Sequence, residues 1–332
     1  MAGYYKLDKE VWDGALAGIL NTYRVFAPLK GVKATDYECI GEAHIPDIVY
    51  NHPKPVIPLK TFFIPIKENV VADTAGIHPT IIMGIPGCDL AALDLLDKFF
   101  LDEDYPDTHY ASRRKHTILV GADCHSTDTH CHCTSYGLNP YPEKHHDLSV
   151  HVLNGHVWLS SHSEKGAHLL SGILDSVSFE SMDEVPLEIQ HVRQQQKREL
   201  EKRNKRLPNY QESTDAVVNS EASVWHSYSR TCVSCGACAT ICPTCTCFLL
   251  IDRPGFEKVR QLDACQYPGF ERTAGGEDPL KRLDNRFKNR YLCKYLYRPE
   301  KYEAMACTGC GRCIDACIGK IDKNELLVEL TK

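Results

Sequence analysis

The chain has 332 residues, of which 43% are hydrophobic and 25% charged, and its formal net charge is -6. This length predicts two domains, while the acidic balance gives no support for nucleic acid as a partner. No apolar run approaches the roughly 20 residues that a membrane helix needs, so we predict no membrane insertion. The unusual counts are 17 cysteines and 16 histidines.

Charged side chains occupy the first ten residues, where a secretory signal would need an apolar segment. We therefore expect a cytoplasmic protein. In that compartment cysteines serve metal or redox chemistry more often than a disulfide framework.

The N-terminal half predicts alternating helices and strands. Apolar residues at helical spacing between Leu7 and Leu20 predict a first helix. Five prolines between residues 46 and 65 predict extended segments and no helix there. Beyond them the periodicity predicts a buried strand over 80–86, a helix over 89–100, a buried strand over 116–121 and an alternating strand over 150–160. This succession predicts an α/β domain with a mixed sheet over residues 1–186.

The C-terminal half differs in composition. Residues 187–224 predict a charged connecting helix, ended by Pro208, and a polar linker. Residues 225–332 hold two cysteine motifs separated by 64 mainly helix-compatible residues between Cys242 and Cys307. We therefore predict a mainly α-helical ferredoxin-like dicluster domain, whose many basic residues between 281 and 301 offset cluster charge or face a partner.

The two motifs both read C-x2-C-x2-C-x3-C. In two-cluster ferredoxins three of these cysteines ligate one [4Fe-4S] cluster, and the fourth ligates the other cluster. The predicted ligand sets are Cys232, Cys235, Cys238 and Cys317 for one cluster, and Cys307, Cys310, Cys313 and Cys242 for the other. Zinc also binds C-x2-C pairs, but it would leave the third and fourth cysteines of each motif unexplained.

A third cysteine group follows the two predicted buried strands. Cys88 comes after the first, and Cys124, Cys131 and Cys133 come after the second. If the strands are neighbours, these cysteines converge in the crevice where α/β sheets bind ligands, and four of them suit a third [4Fe-4S] cluster. Two alternatives remain open. Zinc could be bound with the neighbouring histidines, or the thiols could bind no metal. Those histidines are His125, His130 and His132.

Several segments occur in a characteristic order. They are Gly87-Cys88-Asp89-Leu90, Cys131-His-Cys133-Thr-Ser135, Cys242-Pro-Thr-Cys245-Thr-Cys247-Phe248, Cys265-Gln-Tyr-Pro-Gly-Phe270 and Gly275-Gly-Glu-Asp-Pro279. From about Gly84 to Cys317, the chain resembles the beta subunit of cytosolic sulfhydrogenases and the A subunit of anaerobic sulfite reductases. It departs from that pattern at Gly87 and Ile318, where such proteins usually carry proline.

The resemblance implies an electron carrier in a hetero-oligomer, between a flavoprotein subunit that binds FAD and NAD(P) and a catalytic redox subunit. It supports the eight paired cysteines as ligands and favours the third cluster. The principal hypothesis is therefore a non-catalytic iron–sulfur electron-transfer subunit of an oxidoreductase in anaerobic metabolism. The alternative is that the chain itself reduces a sulfur or disulfide substrate with its surplus thiols, or that those thiols only fill space. The surplus thiols are Cys245, Cys247 and Cys265.

Overall fold

The computed structural model describes residues 3–32, 34–51, 54–71 and 78–332. The strands are β1 (Tyr4–Asp8), β2 (Arg24–Lys30), β3 (Thr35–Cys39), β4 (Lys67–Asn69), β5 (Thr80–Ile85), β6 (Thr117–Ala122), β7 (Leu148–Leu153), β8 (His156–Ser161), β9 (Glu180–Met182), β10 (Phe248–Arg253) and β11 (Glu257–Leu262). The first helices are α1 (Lys9–Ile19), α2 (Lys60–Phe63), α3 (Gly87–Ala91), α4 (Leu93–Phe100), α5 (Thr108–His116), α6 (Glu164–Leu174) and α7 (Leu187–Arg203). The remaining helices are α8 (Tyr210–Val218), α9 (Ala222–Ser229), α10 (Ala237–Thr240), α11 (Leu283–Leu292), α12 (Arg298–Tyr302), α13 (Arg312–Asp315) and α14 (Lys323–Leu330).

Eight strands form one mixed sheet in the order β3-β2-β5-β6-β7-β8-β1-β9. The four strands β2, β5, β6 and β7 are parallel to one another, and the outer pairings are antiparallel. The predicted mixed sheet is therefore confirmed. Its two predicted buried strands are β5 and β6, which are neighbours, so the loops that follow them lie at one edge of the sheet.

Both faces of the central strands are covered, which accounts for their continuous apolar sequence. Successive side chains of a strand point to opposite faces. Ile81 therefore packs in a core with Trp12 of α1 and Leu170 of α6, whereas Ile82 packs on the other face with Leu93 of α4.

The prediction of no helix in the proline-rich segment is wrong, because the segment contains helical turns. A 3-10 helix covers Glu42–Asp47, and α2 forms one turn. The reason for α2 is local, because residues 59–64 carry no proline. Residues 52 and 53 of this segment, including one of its prolines, lie outside the described residues.

A second, three-stranded sheet joins the two halves of the chain. The hairpin β10–β11 pairs antiparallel, and β11 also pairs with β4 from the N-terminal half. Glu68 of β4 forms ion pairs with Arg260 of β11 and with Arg113 of α5. This hairpin lies within the segment that was predicted to be mainly helical.

We expect Glu68→Gln to lower the free energy of unfolding by about 1–3 kcal/mol, because it leaves buried guanidinium donors without their carboxylate. Burial opposes ionisation of Glu68, but hydrogen bonds from Arg113 and Arg260 lower its pKa below the ordinary value. A carboxyl with a lowered folded-state pKa stabilises the fold above its unfolded pKa, about 4.3, and this stabilisation is lost as the pH falls.

Chemical denaturation at pH 7 and in a series down to about pH 3 measures this effect. The difference in stability between the wild-type and Gln variants should shrink as the pH falls below about 4, towards the lowered folded-state pKa of Glu68. A difference that stays constant across the series would contradict the assignment.

The charged segment after residue 186 does more than connect two domains. In α7, Arg193 pairs with buried Asp123, and beyond the helix Asn204 donates a 2.8 Å hydrogen bond to the Cys131 carbonyl. The predicted polar linker contains α8, which begins at a capping box formed by Asn209 and Glu212. These contacts hold the segment against the cysteine-bearing loop.

Aromatic side chains form the core of the C-terminal region. Trp225, Phe287, Tyr291 and Tyr295 pack together from α9, α11 and a π-helical turn over Cys293–Tyr297. These aromatic residues therefore belong to the interior of the region. Among the described residues, no helix has the length and apolar character needed to cross a lipid bilayer.

Candidate iron–sulfur centre

Two equivalent turns shape the paired cysteine motifs. Gly236 and Gly311 have left-handed φ values of +72° and +77°, which favour glycine. They begin the short helices α10 and α13, which pack against each other. Cys238 and Cys313 lie within these helices. In each motif, therefore, the backbone turns at a glycine that lies between the second and the third cysteine.

The packing brings the cysteines together in the exchanged sets that the sequence analysis predicted. One cavity, the outer site, is lined by Cys232, Cys235, Cys238 and Cys317. A second cavity, the middle site, is lined by Cys307, Cys310, Cys313 and Cys242. In each set, therefore, the fourth cysteine comes from the other motif.

The cysteines of the N-terminal half also line one cavity, the N-terminal site. Cys88 lies in α3 directly after β5, and Cys124 follows β6 by two residues. Together with Cys131, Cys133 and the side chain of Lys54 they surround this cavity. The adjacency of β5 and β6 therefore gathers all four predicted cysteines at the carboxyl ends of the parallel strands.

The three sites form a row. Cys310 lines both the N-terminal and the middle cavity, and Cys313 lines both the middle and the outer cavity. The N-terminal loop lies directly on the second motif, where the His132 amide donates a 2.8 Å hydrogen bond to the Gly309 carbonyl. The middle site is thus enclosed between the other two.

The chemistry of the N-terminal site fits a cluster with four thiolate ligands. Burial raises the pKa of Cys88 and Cys124 well above the ordinary value, and raises that of Cys133 to about 12. Such thiols ionise when a metal centre stabilises the thiolate. The ammonium of Lys54, 3.5 Å from Cys131 Sγ, supplies a compensating positive charge.

The histidines beside these cysteines are engaged elsewhere. His132 Nδ1 lies 2.8 Å from the His130 carbonyl, which can only accept, and its Nε2 lies 3.0 Å from Lys323 Nζ. His132 is therefore a neutral imidazole, and burial followed by the charge of Lys323 lowers its pKa well below the ordinary value. His130 contacts Asp315, and His125 is absent from the residues that line the N-terminal cavity.

No group of three or more potential ligands converges around a single ion within the described ranges. A single zinc ion needs its donors about 2.3 Å from one point, whereas a four-iron cube holds its thiolates farther apart.

Buried cations surround the middle site. Lys294 Nζ lies 3.1 Å from Cys242 Sγ. Burial disfavours its ammonium form, but the charge of the Cys242 thiolate outweighs this effect and raises the pKa of Lys294 well above its ordinary value. Lys323 lines both the middle and the outer cavity. These lysines offset negative charge where thiolates gather.

The surplus cysteines lie beside the middle site. Cys245 donates a hydrogen bond to Cys242, which lowers the pKa of Cys242 well below its ordinary value. Cys247 and Cys265 contact each other, and Lys60 donates to the Cys245 carbonyl at 2.9 Å. Neither Lys54 nor Lys60 could be predicted from the sequence as part of a site, because their contacts with distant segments leave no local periodicity.

Comparison with known proteins first identifies a domain within the chain. Residues 231–321 match the sequence model of a family described as 4Fe-4S dicluster domain. The chain therefore contains such a domain, with iron–sulfur clusters as its cofactors.

A similarity over the whole chain identifies a particular relative. The chain is 27% identical over 338 aligned positions to sulfhydrogenase 2 subunit beta of Pyrococcus furiosus, and the alignment covers 98% of each protein. The resemblance predicted from the motifs is confirmed, and it extends beyond the stretch from Gly84 to Cys317.

Proposed function

We propose that this chain is the iron–sulfur electron-transfer subunit of a cytoplasmic, multi-subunit oxidoreductase. The observation that carries the proposal is the row of three four-cysteine sites, in which Cys310 and Cys313 each line two neighbouring cavities. When bound, [4Fe-4S] clusters accept and release single electrons. A row of such sites suits a relay between two partners.

The chain's own residues have distinct tasks in this relay. The four cysteines of each site would hold one cluster, giving two clusters in the C-terminal domain and a third at the N-terminal site. Gly309 and Gly311 allow the backbone of the second motif to approach the N-terminal loop, because a side chain at either would meet the backbone of Cys133 or His130. Lys54, Lys294 and Lys323 offset the charge of the ligands.

The two ends of the row differ in their surroundings. Lys54 and Thr127 line the N-terminal cavity and also a large open cleft beside it. At the other end, Val233 and Ile318 flank the outer site with exposures of 59% and 65%. These ends suit two partners, a flavoprotein subunit that binds FAD and NAD(P) and a catalytic redox subunit, in a hetero-oligomer. The name of the relative, a sulfhydrogenase subunit, supports an assembly of this kind.

We also propose a division into an α/β domain over 1–186, a connecting segment over 187–224 and a mainly helical ferredoxin-like domain over 225–332. The first region has a core of its own, and a second core lies mainly in the last region, with Tyr136 and Val217 joining it from the other two. The pairing of β4 with β11 ties these domains together, which would hold the row of sites rigid.

Anaerobic reconstitution followed by iron and sulfide analysis tests the proposal. Wild-type protein should contain about twelve irons, and Cys131→Ser should contain about eight, because only the N-terminal cluster is lost. Cys39→Ser, at an exposed cysteine far from the three sites, is the matched control and should keep the wild-type content. Fewer than about eight irons in the wild type would reject the relay, and stoichiometric zinc would reject the N-terminal cluster.

The hydrogen bond from Lys294 gives a second prediction. Lys294→Met should lower the reduction potential of the middle cluster, because the lost cation stabilises the more negative, reduced form. A charged hydrogen bond of about 1.5–3 kcal/mol corresponds to about 60–130 mV for one electron. Potentiometric titration followed by electron paramagnetic resonance measures the shift.

Lys288→Met is the control for this titration. Lys288 lies on α11 and donates to the Ser220 carbonyl, away from any cysteine sulfur. If both variants move the potential equally, or neither moves it, Lys294 does not tune the middle site.

A further inference from the structure

Two surplus cysteines meet at the base of the hairpin. Cys247 directly precedes β10, and Cys265 follows β11 by three residues. The pairing of Phe248 with Leu262 continues outward through a 2.9 Å hydrogen bond from the Asp263 amide to the Cys247 carbonyl. This register brings Cys265 beside Cys247, where its thiol and amide stabilise the Cys247 thiolate.

The environment makes the two thiols unequal. The hydrogen bond from Cys265 and the nearby guanidinium of Arg298 lower the pKa of Cys247 to about 6. Arg298 is held in place by a 2.7 Å hydrogen bond to the Thr244 carbonyl and by the Thr246 hydroxyl. Cys247 is half-buried, whereas Cys265 is only 7% exposed. A thiolate beside a protonated partner thiol is the arrangement in which a disulfide can form and break.

The pair also lies beside the middle site. Cys245 contacts the ligand candidate Cys242 and also lies near Cys265. Neither Cys247 nor Cys265 lines any of the three four-cysteine cavities.

We propose that Cys247 and Cys265 form a redox-active dithiol that exchanges a pair of electrons with the iron–sulfur row. In oxidation the Cys247 thiolate and the Cys265 thiol form one S–S bond and release one proton and two electrons. The electrons pass singly to [4Fe-4S] clusters, and the reverse step consumes two electrons and one proton to break the bond. This inference rests on the proposed function for its electron acceptor, and it adds a two-electron, proton-coupled centre to a one-electron relay.

The test uses the full chain, reconstituted with iron and sulfide. The protein is equilibrated in buffers of oxidised and reduced dithiothreitol, quenched with a thiol alkylating reagent and digested for mass spectrometry. We expect a peptide linked between Cys247 and Cys265 at oxidising poise and both thiols alkylated at reducing poise. Alkylated, unlinked thiols at every poise would overturn the proposal.

A reductive titration with dithionite then measures the electron capacity. Oxidised wild-type protein should take up about two more electrons per chain than Cys247→Ser, while Cys39→Ser matches the wild type. The iron content of Cys247→Ser should equal that of the wild type, and a loss of iron would instead make Cys247 a metal ligand and overturn the proposal. The two proposals can fail separately. If the wild-type protein contains fewer than about twelve irons but still yields the peptide linked between Cys247 and Cys265, the three-cluster relay is rejected and the dithiol is supported.

Discussion

Gly309→Ala is expected to unfold more easily than the wild type and to lose iron from the N-terminal site. Gly309 has a φ of +68°, where an L-residue costs about 1–2 kcal/mol. An added Cβ would also lie 2.6 Å from both the amide nitrogen and the Cα of Cys133. Since both contacts are to backbone, the loop that carries Cys131 and Cys133 has to move.

Gly255→Ala separates these two causes. Gly255 has a φ of +83°, yet a Cβ there would meet no atom within 4 Å. It should therefore show only the conformational cost of about 1–2 kcal/mol and keep the full iron content. Thermal unfolding and iron analysis of both variants make the comparison. Equal losses of stability with unchanged iron would show that the loop does not depend on its contact with Gly309.

Arg312→Leu is expected to have the largest effect on stability. The Arg312 guanidinium is 2% exposed, binds both oxygens of Asp89 and donates two hydrogen bonds of 2.9 and 3.0 Å to the Pro55 carbonyl. Removing one member of a buried ion pair costs about 3–5 kcal/mol, because the other charge is left uncompensated. Denaturant unfolding of the reconstituted chain measures this loss.

The double variant Asp89→Asn with Arg312→Leu tests the cause. It should recover part of the lost stability, because the orphaned carboxylate is replaced by a neutral amide. Arg282→Leu removes a pair with Asp284 in which the arginine side chain is 69% exposed, and it should cause a much smaller loss. A double variant no more stable than Arg312→Leu would assign the effect to packing alone.

The cysteine sets could be predicted because their signals are local. A C-x2-C-x2-C-x3-C run fixes the distances between three thiols, and two buried strands that end in cysteines place their loops together once the strands are neighbours. The pairing of β4 with β11 could not be predicted in this way. Strand β4 has only three residues, and the side chains of β10 are mostly exposed, so neither strand carries a clear alternation.

The charges around the sites were harder to predict than the ligands. Lys54 and Lys60 lie among prolines, and their partners are 77 and 185 residues away in the chain. The pair of Asp89 with Arg312 joins segments separated by 223 residues. Such contacts depend on how the domains pack, which no local pattern specifies.

The enclosure of the middle site has a consequence for maturation. Its cysteines Cys242, Cys307 and Cys310 are buried, whereas Cys235 of the outer site is exposed. The loop with Cys131 and Cys133 lies over the second motif with no room for even a methyl group at Gly309 or Gly311. In the proposed relay we therefore expect iron and sulfide to reach the middle site before this loop docks, which would fill the middle site ahead of the N-terminal one.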